Sequence, residues 1–211
     1  MEVLEKYIPS AAVPQIVSWI KEYKLQVKIT RARKSKFGDF RAAHNGKLAT
    51  ITVNNDLNQY HFLITLVHEI AHASVYLKHK NKAKPHGIEW QNDYREKLSQ
   101  IIELSVFPEE IEFGLQLHLA KVKASTCSDH RLYRLLKDHD QDNGYVFLSQ
   151  LAEDSVFEVK GGRKFMKGKR RRTRYLCREI DGKRMYTISA NAEVKPVEED
   201  KAKKEVFPLL A

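Results

Sequence analysis

A chain of 211 residues with 42% hydrophobic and 30% charged residues has a composition far from that of disordered or membrane proteins. It contains no apolar run near the roughly 18 residues that cross a bilayer, and its acidic first residues do not resemble a signal peptide. We therefore expect a cytoplasmic protein. The two cysteines, Cys127 and Cys177, form no Cys-x-x-Cys pair, which excludes a disulfide scaffold and a cysteine-ligated structural zinc.

The net charge of +10 is concentrated in one segment of the chain. Residues 160–184 contain twelve basic and two acidic residues, so this segment accounts for the whole excess. A local excess of this size predicts a polyanionic partner.

The first third of the chain has the pattern of one helix and three strands. Apolar spacing predicts a helix over Val13–Lys24, and alternation predicts a strand over Leu25–Thr30. Phe40–His44 and Lys47–Val53 flank Asn45-Gly46, a dipeptide typical of a tight hairpin turn. We expect a helix followed by a small antiparallel sheet.

The middle of the chain is predicted to be helical. Apolar residues at three-to-four spacing indicate a largely buried helix from about Asn58 or Tyr60 to Tyr76 or Leu77. A lysine-rich loop then ends at Pro85-His86-Gly87. Further helices are predicted at Ile88–Leu104, Pro108–Leu119 and Asp129–Asp138, the last of them capped by Ser128 or Asp129.

The pattern changes to short β-like runs from Tyr145 onward. These runs are Val146-Phe147, Val156–Val159, Lys164–Met166, Thr173–Cys177 and Met185–Ser189. We predict an α+β protein with an N-terminal domain over residues 1–140, a small basic all-β module over 141–197 and a flexible tail over 198–211.

The central motif of the sequence is His68-Glu69-Ile70-Ala71-His72, which matches the His-Glu-x-x-His pattern of zinc peptidases. Residues four apart on a helix project from one face, so His68 and His72 can bind one ion. Glu69 can then act as the general base towards a water molecule that zinc activates. The motif predicts a catalytic zinc site.

A catalytic zinc has three protein ligands, so a third ligand is expected. We favour His86, which lies in a loop fourteen residues after His72. His79 lies about 10 Å along a regular helix from His72, which is too far. Glu89 or Glu96 on the next helix remains an alternative.

These residues carry a resemblance to a known family. The stretch from Leu63 to Gln91, with the histidine motif, Tyr76-Leu77 and Pro85-His86-Gly87-Ile88-Glu89-Trp90, resembles the SprT family of metallopeptidases, to which Spartan is also similar. Residues 34–41 and 51–54 resemble the family's strand region. The resemblance covers roughly residues 10–105.

The resemblance implies a zincin-like metallopeptidase domain with a single Zn²⁺ bound by His68, His72 and His86, and with Glu69 as the catalytic residue. It also implies a peptidase that acts on proteins associated with DNA. Members of the family often carry a C-terminal zinc ribbon with paired cysteines. Cys177 is unpaired in the sequence of the β module, so we expect a ribbon-like fold without metal.

The basic segment supplies candidate nucleic-acid ligands, and two aromatic neighbours, Phe165 and Tyr175, could stack on bases. The candidates are Lys164, Lys167, Lys169, Arg170, Arg171, Arg172 and Arg174. Such cations favour salt-sensitive, sequence-independent binding to DNA, either double-stranded or single-stranded. A solubilising hairpin or an acidic protein partner is the alternative. A second basic group, Arg31, Arg33, Lys34 and Lys36, could extend the surface towards the active site.

Two other functional classes remain open on the sequence. The chain could be a nucleic-acid-binding, transcription-related accessory protein with a vestigial peptidase site, although the intact Glu69 argues against it. It could also be a metal-dependent hydrolase of another substrate, such as RNA. Tyr60, Tyr76 and His44 are unranked candidates for an oxyanion donor.

Overall fold

A computed structural model of the chain describes residues 3–33, 35–120, 122, 129–182 and 184–197. The chain folds as two compact units, Met1–Gln141 and Asp142–Ala211. The expected tail over 198–211, Cys127 and the alternative cap Ser128 lie outside the described residues. None of the described helices combines the length and the apolar character needed to cross a bilayer.

The described residues of the first unit include five α-helices close to the positions that the sequence predicts. They are α1 (Val13–Glu22), α2 (Gln59–His79), α3 (Ile88–Ile102), α4 (Glu109–Ala120) and α5 (His130–Lys137). Asn58 caps α2 by accepting hydrogen bonds from the backbone of Tyr60 and His61 at 3.1 and 3.0 Å. Asp129 caps α5, as one of the two predicted alternatives.

The first unit also contains a three-stranded sheet that differs from the predicted one. Its strands are β1 (Leu25–Thr30), β2 (Gly38–Arg41) and β3 (Ala49–Asn54), in the spatial order β1-β3-β2. β2 and β3 are antiparallel, but β1 and β3 are parallel, so the prediction of an antiparallel sheet was wrong. β1 and β2 are thus the two outer strands, and β3, the last in the chain, lies between them.

The predicted turn between β2 and β3 is present. Asn45 and Gly46 both have positive φ, at 48° and 74°, and the Lys47 backbone amide donates to the His44 carbonyl at 3.0 Å. These φ values are typical of the turns that suit the twist of a hairpin.

Helix α2 forms the centre of the core of this unit. Its residues Phe62, Leu66 and Ile70 are fully buried, and they belong to one cluster with Ile51 and Val53 of β3. Burial of each such side chain contributes roughly 1.5–3 kcal/mol. The motif helix is therefore one of the best-packed elements of the unit.

A buried ionic network joins α2 to α3. The Asp93 carboxylate accepts a hydrogen bond from Ser74 Oγ at 2.7 Å and lies 3.1 Å from Lys78 Nζ and 3.0 Å from Lys97 Nζ. The Lys97 side chain is buried and its ammonium also lies over the Trp19 ring, 5.6 Å from the centroid. Such a network fixes the register of the two helices that carry the candidate site.

The second unit forms a six-stranded sheet in which each neighbouring pair is antiparallel. Its strands are β4 (Val146–Phe147), β5 (Val156–Val159), β6 (Lys164–Arg171), β7 (Arg174–Glu179), β8 (Met185–Ser189) and β9 (Glu193–Pro196), in the order β4-β9-β5-β6-β7-β8. β6 is longer than its prediction, and β9 was missed. One face buries Phe157, Phe165, Tyr175 and Cys177, whose thiol is free.

Candidate metal centre and basic surface

Three histidines of the first unit converge on one point. The Nε2 atoms of His68 and His72 are 3.2 Å apart, those of His72 and His86 are 3.1 Å apart, and those of His86 and His68 are 3.2 Å apart. Among the described residues these three form the group that could hold a metal ion. The structure thus brings His86 to the motif helix, whereas His79, Glu89 and Glu96 are not part of this group.

The local backbone explains how the two elements meet. His68 and His72 are four residues apart on α2, so their side chains leave the same face of the helix. His86 has a positive φ of 56° in a turn closed by a hydrogen bond of 2.9 Å from the Gly87 amide to the Lys84 carbonyl. The Gln91 side chain donates to the His86 carbonyl at 3.0 Å. These bonds hold His86 in a conformation that a non-glycine residue rarely adopts.

The spacing of the nitrogens fits a tetrahedral zinc ion. With Zn–N bonds of about 2.0–2.1 Å, two ligands of a tetrahedral ion lie about 3.3 Å apart. The observed distances between the Nε2 atoms are 3.1–3.2 Å. Three protein nitrogens leave the fourth position of a tetrahedron for another ligand, as in catalytic zinc sites.

The three imidazoles are poised as neutral ligands. Burial lowers the pKa of His72 to about 4, with the charge of His86 acting in the same direction. Burial also lowers the pKa of His68 well below its usual value, and that of His86 to a lesser degree. A neutral imidazole has the free electron pair that a metal requires, and the buried cluster disfavours protons in its place.

An aromatic side chain packs against all three histidines. The Trp90 ring has centroid distances of 4.6 Å to His68, 5.2 Å to His72 and 4.6 Å to His86. Tyr94 stacks on Trp90, with centroids 4.9 Å apart and planes 12° apart. Trp90 belongs to the sequence motif, but no role was predicted for it. The sequence feature that could have indicated a role for Trp90 is its position on α3, three residues after Gly87.

Glu69, the residue after His68 on α2, is buried against strand β2. Glu69 is 7% exposed, and its carboxylate accepts a hydrogen bond from the backbone amide of Phe40. Burial raises the pKa of Glu69 to about 8, and the charge of Asp39 acts in the same direction. A cation held by the histidines would lower the pKa again and favour the ionised carboxylate.

The three candidate oxyanion donors lie in different surroundings. Tyr76 packs against Phe40, whose amide contacts Glu69, with ring centroids 5.9 Å apart. Tyr60 packs against Phe107, and His44 belongs to the turn of the β2–β3 hairpin. Of the three, Tyr76 is thus the one linked to Glu69 by a described contact.

The basic surface of the second unit is smaller than the sequence predicted. Lys164, Lys169, Arg170, Arg171, Arg172 and Arg174 are exposed on β6, β7 and the turn between them. The prediction that Lys167 belongs to this surface is corrected, because Lys167 is 4% exposed. Its ammonium donates to the Leu151 carbonyl and lies 4.1 Å from the centroid of the Tyr175 ring. Phe165 and Tyr175 are also buried, so they are not free to stack on bases.

Two of the four residues of the second basic group, Arg33 and Lys36 of the first unit, form contacts within the protein. The Arg33 guanidinium donates to Asn54 at 2.8 Å and to Thr52 at 3.0 Å. Lys36 forms an ion pair with Asp39 at 2.7 Å. Arg31 is exposed, and Lys34 lies outside the described residues.

The fold and the site define an α+β unit with a candidate three-histidine metal centre. Residues 10–106 match the model of the SprT-like family. The match includes His68, Glu69, His72 and His86, and it confirms the resemblance drawn from the motif. Neither a curated protein nor a solved structure matches the chain.

Proposed function

We propose that this chain is a zinc-dependent peptidase that acts on proteins associated with DNA. The observation that carries the proposal is the convergence of His68, His72 and His86, with Glu69 next to His68 in the chain, within a segment that matches the SprT-like family model. The family is compatible with peptidase activity, and the three nitrogens have the spacing of zinc ligands.

The residues of the site would have different roles. His68, His72 and His86 would hold the ion through their Nε2 atoms, and a bound zinc ion supplies Lewis-acid chemistry at that position. The Glu69 carboxylate would take a proton from the attacking water molecule and then give that proton to the departing amine. Because the Phe40 amide holds this carboxylate, the base is oriented before a substrate arrives.

The position of strand β2 favours a polypeptide as the substrate. β2 is an outer strand of its sheet and contacts Glu69 through Phe40. An outer strand can pair with an extended peptide through backbone hydrogen bonds. Such pairing would deliver a peptide bond close to the base.

The DNA part of the proposal rests on the second unit. Six exposed basic residues lie on one pair of strands and the turn that joins them. Their charges would neutralise phosphates without reading bases, because the aromatic neighbours are buried. This surface supports sequence-independent binding.

Reconstitution of the metal-free protein tests the proposal. Zinc should be added to it with three substrates: casein, histone bound to single-stranded DNA, and RNA. We expect one equivalent of zinc, zinc-dependent cleavage of both proteins, and faster cleavage of the DNA-bound histone. Binding of zinc and DNA without proteolysis would instead identify a nucleic-acid-binding accessory protein. RNA cleavage without proteolysis would identify a metal-dependent nuclease.

A further inference from the structure

Gly38 of strand β2 touches the candidate base directly. A Cβ atom built on Gly38 would lie 2.6 Å from Glu69 Oε1, 2.8 Å from Glu69 Cγ and 2.8 Å from Thr65 Cγ2. All three distances are shorter than side chains tolerate. The φ of Gly38 is outside the left-handed region, so the position requires glycine for space and not for backbone conformation.

Of the neighbours of Gly38, the Glu69 carboxylate is the one that could move. Thr65 is 6% exposed and sits on α2, where a β-branched side chain has few rotamers. The Gly38 backbone is paired with Val53 of β3. A methyl group at position 38 would therefore displace the carboxylate and disturb its hydrogen bond with the Phe40 amide.

We propose that Gly38 is a positioning residue for Glu69, and that the bare backbone of β2 at Gly38, with the Phe40 amide, sets where the carboxylate lies. The inference rests on the proposed function for the role of Glu69 as a base, while the contact itself is independent of it. The three atoms nearest to a Cβ at Gly38 belong to Glu69 and Thr65 and not to the histidines, so zinc binding should not depend on Gly38.

Thermal unfolding of four variants tests the contact without measuring activity. Gly38→Ala should lower the Tm of the first unit by about 5 °C, because overpacking is costly. In the Glu69→Ala background, which removes Cγ and the carboxylate, the same substitution should cost less, and the cost that remains is that of the 2.8 Å contact with Thr65 Cγ2. Gly46→Ala is the matched control: Gly46 has no atom within 4 Å of an added Cβ and a φ of +74°, so its cost should be equal in both backgrounds.

Kinetics then test the positioning role. Gly38→Ala should retain one equivalent of zinc and an unchanged KM, and should lose about 10²-fold in kcat, the cost of a misplaced reacting group. Adding Thr65→Ala removes Cγ2, gives the new methyl group room and should restore part of kcat. The double variant also replaces Gly38→Ala in the assay if the single variant does not fold.

Each result decides the proposal. Coupled Tm values together with a loss of kcat and partial rescue would establish it. The positioning role would be overturned by an equal loss of Tm in the two backgrounds, or by a wild-type kcat in Gly38→Ala. In either case, cleavage by the wild-type protein would leave the proposed function intact. Absence of cleavage by the zinc-loaded wild type would refute the proposed function, and the positioning role with it.

Discussion

The Trp90 indole stacks on the His72 imidazole, with ring centroids 5.2 Å apart and planes 28° apart. The same indole packs against His68 and His86, and Trp90 is 1% exposed. It therefore restricts the rotation of all three rings. Ligands that are held in place before the metal arrives lose less entropy when they bind it.

Replacement of Trp90 should therefore weaken zinc binding. We expect Trp90→Leu to lower zinc affinity by about 10–100-fold, as substitutions around metal ligands do. Competition with a chromophoric chelator measures the affinity. Trp19→Leu is the matched control, since Trp19 is also buried but packs on Lys97 of the ionic network. Equal zinc affinity in the two variants would contradict the role given to Trp90.

His86 and His79 form a direct comparison for the third ligand. His86→Ala removes one Nε2 of the cluster, so zinc affinity should fall by at least about 10-fold and the protein should lose its cleavage of casein. His79→Ala removes an exposed imidazole at the end of α2 that is outside the cluster. Its zinc affinity should equal that of the wild type. A loss of zinc in the His79 variant alone would show that His86 is not the third ligand.

The buried Lys97 predicts a stability effect that an exposed neighbour should not share. Lys97→Met leaves Asp93 with less compensation in a buried site, and we expect unfolding to become easier by about 3 kcal/mol. Lys78 contacts the same carboxylate but its side chain is 59% exposed. Lys78→Met should cost less than about 1 kcal/mol. Urea unfolding of both variants measures the difference, and similar values would argue against an important buried pair.

The exposed cations of the second unit should set the salt dependence of DNA binding. Lys169→Ala, Arg171→Ala and Arg172→Ala combined should lower affinity for single-stranded DNA and reduce the slope of log K against log salt by about two, at about 0.7 per phosphate contact. Fluorescence anisotropy at several salt concentrations measures this slope. Lys167→Met, which removes a buried cation of the same strand, should leave the slope unchanged. A slope equal to that of the wild type in the triple variant would exclude this surface.

The sequence predicted those parts of the fold that depend on local patterns. The boundaries of β1 and β8 are as predicted, and the Asn45-Gly46 turn has the expected conformation. Helix α2 continues to His79, two residues beyond Leu77, the later of the two predicted ends, because no helix breaker precedes Lys80, where φ becomes positive. These features follow from residues close together in the chain.

Strand pairing was harder to predict, because it depends on residues far apart. Nothing in the alternation of β1 indicates that β3 lies beside it in parallel. Strand β9 was missed because Glu193–Pro196 has one buried residue, Val194, between polar neighbours and ends in proline. Its pairing with both β4 and β5 makes it a strand.

In the candidate site, too, the features that depend on local sequence were predicted, and those that depend on packing between distant elements were not. His68, Glu69 and His72 follow from helical spacing, and His86 was favoured from its loop, whereas the contacts of Trp90 and Gly38 arise only when α3 and β2 pack against α2. Lys167 illustrates an available signal that was not used. It is two residues after the buried Phe165 on one strand, so alternation places both side chains on the buried face.

Zinc and Glu69 together are proposed to make this chain a peptidase. A comparison of casein cleavage by the wild type and by Glu69→Gln, each shown by metal analysis to contain one zinc, tests this pairing without other changes to the site. We predict equal zinc content, cleavage by the wild type and a loss of at least about 10²-fold in the variant. Undiminished cleavage by zinc-loaded Glu69→Gln would contradict the proposed role of the carboxylate and the peptidase mechanism built on it.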